Sequence, residues 1–181
     1  MKAKHNTKNY IFKGLQIISW IIFIGLCIEA GGLVVNFVFS LARPEFIPRL
    51  YQNLDLSDLY ESSKLVFLGM YGFVLTLAVL KAIMFYIVIL LITKIDLAKP
   101  FDHLVSDRIF KISHYTLAIG VVGLIAQQIA TGLQQQGFSL DILKPFWGDS
   151  EAYILMAAVI YSIGSIFLKG VEYQDELEET V

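Results

Sequence analysis

Cysteine is almost missing from this chain, and its one copy, Cys27, excludes an internal disulfide and any cysteine-based metal cluster. Charge is scarce as well: Asp, Glu, Lys and Arg make up 17% of the residues, against about 25% in a soluble domain. The net charge of −2 gives no basic field of the kind that holds nucleic acid, so no direct nucleic-acid contact is expected. The three histidines, His5, His103 and His114, share no i, i+4 site, which leaves zinc without ligands. The sequence has no H-E-x-x-H, no G-x-S-x-G and no phosphate-binding glycine loop. It offers no Ser–His–Asp set and no paired carboxylates. These absences point away from an enzyme, a cofactor and a metal centre.

Apolar residues are abundant instead. They form 56% of the chain, with a mean hydropathy of +0.66, and they gather in four long runs. A run of about 20 apolar residues crosses a bilayer as a helix. The runs predict helices over roughly 10–41, 64–93, 112–134 and 151–171, one membrane domain over 1–181. The fold class is an all-α integral membrane four-helix bundle, with the bilayer as its first partner. The first run exceeds the 7–15 residues of a signal-peptide core and lacks an A-x-A site, so it is expected to be retained. Ile24-Gly25-Leu26-Cys27 departs from a lipoprotein site at Leu26, which is not small, and Cys27 reads as a small buried hydrophobe.

The connecting segments have distinct characters. The first holds Pro44 and Pro48 and an amphipathic piece around Leu50, Leu54, Asp55, Asp58 and Glu61. The second, Lys94 to Lys111, mixes charge with Leu104, Val105, Ile109 and Phe110, as a headgroup-level loop does. The third, Gln135 to Ser150, contains Trp147, an aromatic suited to the interface. Lys99-Pro100-Phe101 and Lys144-Pro145-Phe146 look alike, but three residues do not make a repeat.

Lys and Arg set orientation. Lys2, Lys4, Lys8, Lys13, Lys94, Lys99, Arg108, Lys111 and Lys169 fall on one side, and Arg43, Arg49, Lys64 and Lys144 on the other, nine against four. The reading is N-in and C-in, in a bacterial cytoplasmic membrane crossed several times. The tail with Glu172, Asp175, Glu176, Glu178 and Glu179 does not oppose this, since carboxylates contribute little to topology.

Helices in lipid associate through small and polar residues. At 100° per residue, Gly25, Glu29, Gly32, Asn36 and Ser40 share one stripe of the first helix. Gly69, Gly72 and Thr76 share a face of the second. Ser113, Thr116, Gly120, Gly123, Gln127, Thr131 and Gln134 mark the third, and Ala158, Ser162, Ser165 and Lys169 the fourth. These seams are expected to face neighbouring helices.

Glu29 and Lys81 are the candidate intramembrane site, joined by Gln127 on the third seam. An ionisable residue inside a membrane is a functional candidate by default, with its partner to be named. About twenty apolar residues at about −0.3 to −0.6 kcal/mol each outweigh one charge at about +3 kcal/mol, so both helices insert. Each charge is the other's obvious partner, although counting from the outer helix ends leaves a mismatch of roughly 9 Å at a rise of about 1.5 Å per residue. The plain reading is a structural ion pair or hydrogen-bonded glue; the sharper one is a proton- or ion-responsive site. Gln127 and Gln128 read first as interhelical hydrogen bonds.

Three stretches carry a family resemblance: Leu97-Ala98-Lys99-Pro100-Phe101, Asp149-Ser150-Glu151-Ala152-Tyr153-Ile154-Leu155, and Ile166-Phe167-Leu168-Lys169-Gly170-Val171-Glu172 with a terminal Thr180-Val181. With them the chain resembles a bacterial family of four-helix membrane proteins, domain of unknown function 2975. Glu176-Leu177-Glu178-Glu179 departs from that family's usual tail, which is nearer to E-N-D-L-T-V. Members are often encoded beside a small helix-turn-helix regulator. The resemblance therefore implies a non-catalytic regulatory or interaction partner of a transcription factor, and it assigns no catalytic residue. The protein partner would meet the cytoplasmic loop or the acidic tail, and a homo-oligomer stays open. The alternative is a small transporter or channel component built on the Glu29/Lys81 site.

Overall fold

A computed structural model describes the backbone of residues 2–43, 56–95 and 101–179, and the side chains within them except at 2–10, 58 and 178–179. The proline loop, the 97–100 stretch and Thr180-Val181 lie outside the described residues. All regular structure among the described residues is helical: α1 (Lys2–Ala42), α2 (Ser57–Ser62), α3 (Lys64–Lys94), α4 (His103–Gln135), a 3₁₀ turn (Asp141–Leu143), α5 (Lys144–Trp147) and α6 (Ser150–Glu179). The four long helices are each long and apolar enough to cross a membrane.

Local chemistry sets the ends. Ser63 caps α3 by accepting from Val66 N at 3.4 Å, and Asp102 caps α4 by accepting from Leu104 N at 3.0 Å. The helix α4 thus starts at His103, not at Ile112 as expected. Residues 103–111, read as an interfacial loop, coil instead because Val105, Ile109 and Ile112 return to one face and Asp107 pairs with Lys111 at 2.7 Å, four residues on. At the other end, Phe138 N bonds Leu133 O and Gly137 N bonds Gln134 O, both near 3 Å. This Schellman closure needs a left-handed residue, and Gly137 supplies it at φ +96°. The acidic tail is also helical: nothing after Gly170 breaks it, and Val171 is buried.

Successive long helices are antiparallel neighbours. Extended packing joins α1 to α3, α3 to α4 and α4 to α6, and the outer pair, α1 and α6, shares none. The bundle is therefore open on one side. Register follows from named contacts. Gln16 meets Thr93, Phe23 meets Tyr86, and Tyr71 Oη donates to Leu33 O at 3.0 Å across α1 and α3. Arg108 Nη1 donates to Leu90 O at 2.6 Å, and the Thr116 hydroxyl, bonded to Ile112 O, touches Met84 Sδ at 3.2 Å. Ser113 Oγ donates to Ala157 O at 2.9 Å, and His103 meets Asp175 at 3.0 Å.

This register puts Lys13, Lys94, Arg108, Lys111 and Lys169 in one belt. About twenty residues cross a ~30 Å hydrocarbon core. Counted from that belt, they end near Leu33, Val74, Gln127 and Ser150, which the contacts place within about one helical turn of one another. Beyond it, a cap closes the end: Leu56, Leu59, Leu140, Leu143 and Trp147 are buried with Phe67, Met70 and Tyr71. Trp147, expected at the headgroups, is inside this cap at 3% exposure.

Two expected seams point the wrong way. Gly69 and Thr76 on α3, and Ala158, Ser162 and Lys169 on α6, are exposed. Their hydroxyls bond inside their own helices, Thr76 to Gly72 O, Ser162 to Ala158 O and Ser165 to Tyr161 O. A hydroxyl that bonds four residues back needs no neighbour, so it does not mark an interface. The true faces are Phe67, Met70, Tyr71, Val74 and Leu77 on α3 and Ala157, Gly164 and Val171 on α6.

Candidate functional site

The α1 stripe is half right. Asn36 and Ser40 are buried, Ser40 donating to Asn36 O at 2.8 Å, while Gly25 is exposed and its α-carbon faces open space. The face that meets α3 runs through Ser19, Phe23, Ala30, Leu33 and Phe37. Glu29 lies at its edge, half-buried, with no hydrogen bond or ion pair to a described residue. Cys27, read as buried, is exposed on the lipid side.

Lys81 is also half-buried, but it serves another side of α3. It shares a face with Leu77 and Met84, toward α4 and the start of α6. Its Nζ sits 5.7 Å from the centroid of the Tyr153 ring, within cation–π range. No carboxylate among the described residues pairs with it. The two charges stand at similar depth, because Leu33–Tyr71 and Phe23–Tyr86 bracket Glu29 on α1 and Lys81 on α3. Depth is not what separates them: α3 itself stands between, with Glu29 on its α1 side and Lys81 on its α4 side.

Around the Lys81 ammonium is a pocket of about 10 Å³ walled by Leu77, Ile119, Phe146, Asp149, Ser150 and Tyr153. That is room for about one water. Below it, toward the basic belt, a cleft of about 340 Å³ runs between α3, α4 and α6, and Tyr153 borders both. The cleft exists because the bundle is open: α1 packs on the far side of α3 and leaves this groove uncovered.

Gln127 does not join either charge. It is exposed, as are Gln128 and Thr131, beyond the level where α6 begins. The α4 seam holds through Ser113, Thr116, Gly120 and Gly123, then passes to Ala126 and Ala130. The glycines hold α6 close. A Cβ on Gly120 would lie 3.0 Å from Ser150 O and from Ile154 N, and one on Gly123 would meet the Ser150 side chain. Sequence reasoning missed Asp149, Ser150 and Tyr153 as neighbours of Lys81. The signal was available in kind: all three sit in the stretch before and within the first turn of α6. Only the cap's inward return brings that turn to Lys81. No group of three His, Cys, Asp or Glu side chains among the described residues is placed to hold a metal ion.

No curated protein and no solved structure was found to match the chain. One family model, described as "Protein of unknown function (DUF2975)", matches residues 50–181. That match covers α2 to α6, including Lys81 and the cleft, so this chain, with four helices long and apolar enough to cross a membrane, belongs to that family of unknown function.

Proposed function

We propose that the protein is a non-catalytic membrane protein of the bacterial cytoplasmic membrane, working through contacts with a small helix-turn-helix DNA-binding protein. Both ends lie on the cytoplasmic side in this reading. The observation that carries it is the extension of α6. The helix does not stop at the basic belt but continues to Glu179, with Glu172, Asp175 and Glu176 exposed. His103 ties it back to α4 through Asp175 at 3.0 Å. An acidic rod held at a fixed place complements the basic surface of a DNA-binding protein. Among the described residues, neither the Lys81 pocket nor the cleft is lined by Glu29, the residue on which a transport reading would be built.

Membrane flotation tests the proposal. A tagged helix-turn-helix protein encoded beside a family member is expected to float with membranes containing the full chain. Replacing Glu172, Asp175 and Glu176 by lysine should return it to the soluble fraction, as should high salt. A regulator equally soluble with and without the membrane protein overturns the reading.

A further inference from the structure

We propose that the cleft between α3, α4 and α6 is a lipid site: it takes one acyl chain of an anionic phospholipid, whose headgroup charge is met by Lys81. The cleft walls are Met84, Val88, Ile112, Met156 and Ile160, with Tyr153 at the top. From Tyr153 to Ile160 they run two turns of α6, roughly 10 Å at a rise of about 1.5 Å per residue. All of this lies on the basic-belt side of Ser150, within the hydrocarbon slice. An apolar groove of this kind stays dry. Left empty, its lining loses contact partners outright. A volume of about 340 Å³ suits a chain, whereas a helix is about 10 Å or more across and does not fit.

The headgroup end is set by Lys81, one turn before Met84 on the same face of α3. Its stem carries the ammonium to the Tyr153 ring, at the level where α6 starts. Lys81 stands seven residues, roughly 10 Å, inside the Val74 level, and its flexible stem reaches back toward the interface. Asp149 borders the same pocket without forming an ion pair with Lys81, so it offsets the lysine charge only in part. The pocket around Lys81 has room for about one water, so the phosphodiester sits at its mouth, above the chain, and meets the ammonium there or through that water.

Electron spin resonance on the full-length protein in phosphatidylcholine vesicles tests this, with trace chain-labelled phosphatidylglycerol or phosphatidylcholine as probe. One lysine near the headgroups corresponds to about a fivefold preference. The motionally restricted fraction is therefore expected to favour phosphatidylglycerol about fivefold, and Lys81→Met should remove that preference. Ala152→Trp, which fills the cleft and keeps Lys81, should release the restricted phosphatidylglycerol. Equal restriction of the two probes overturns the proposal. So does a preference that survives Lys81→Met and falls in Lys169→Gln, because the basic belt is then its source. If Lys81→Met does not fold, the Ala152→Trp result decides: an unchanged restricted fraction rejects the site.

Discussion

The α4–α6 contact can be tested with a pair of glycine substitutions that differ only in what the new methyl group meets. Gly120→Ala places a Cβ 3.0 Å from Ile154 N and from Ser150 O, and 2.6 Å from Ile154 Cγ1. The side chain can turn away, but the two backbone atoms belong to the first turn of α6 and cannot. Relief requires α6 to move off α4, and overpacking of this kind costs about 1–3 kcal/mol. Gly69→Ala on α3 meets nothing within 4 Å. Both substitutions gain the same helix propensity, about 1 kcal/mol, so it cancels in the comparison. Gly120→Ala should therefore be less stable than Gly69→Ala by about 1–3 kcal/mol. The assay is unfolding of both variants and the parent by dodecyl sulfate titration in mixed micelles, followed by circular dichroism. If the two variants unfold together, α6 is not held against α4 at Gly120, and the α4–α6 register is refuted.

Three further outcomes follow from named contacts. Arg108→Met removes the guanidinium bond to Leu90 O near the end of α3; the same titration should show a loss of about 1.5–3 kcal/mol, the range for a charged hydrogen bond. Gly137→Ala should cost about 1–2 kcal/mol through backbone strain alone, because φ is +96° and no atom lies within 4 Å of the new methyl; Gly132→Ala, also in open space but helical, should not. Glu29→Gln breaks no described partnership, so stability should stay within about 0.5 kcal/mol of the parent; a large loss would reveal an acid–base pair that the packing does not contain.

The amino-acid sequence by itself determined the class of the molecule. Four runs too apolar for water and too long for a soluble core leave helices across lipid as the outcome, because each backbone polar group must then be satisfied within its own segment. The same logic made Glu29 and Lys81 visible as exceptions. What the sequence did not determine is which side of each rod meets protein. Small and hydroxyl residues mark an interface only when a neighbour arrives. Gly120 and Gly123 received α6, while Gly69, Thr76 and Ser162 received nothing and bonded within their helices or faced open space. Only the tertiary structure decided that the row runs α1, α3, α4, α6. That order puts α3 between the two charges, turns the first turn of α6 toward Lys81 and leaves a groove open to lipid. Periodicity reports an angle around one helix axis, and the direction of the neighbour is a property of the whole chain.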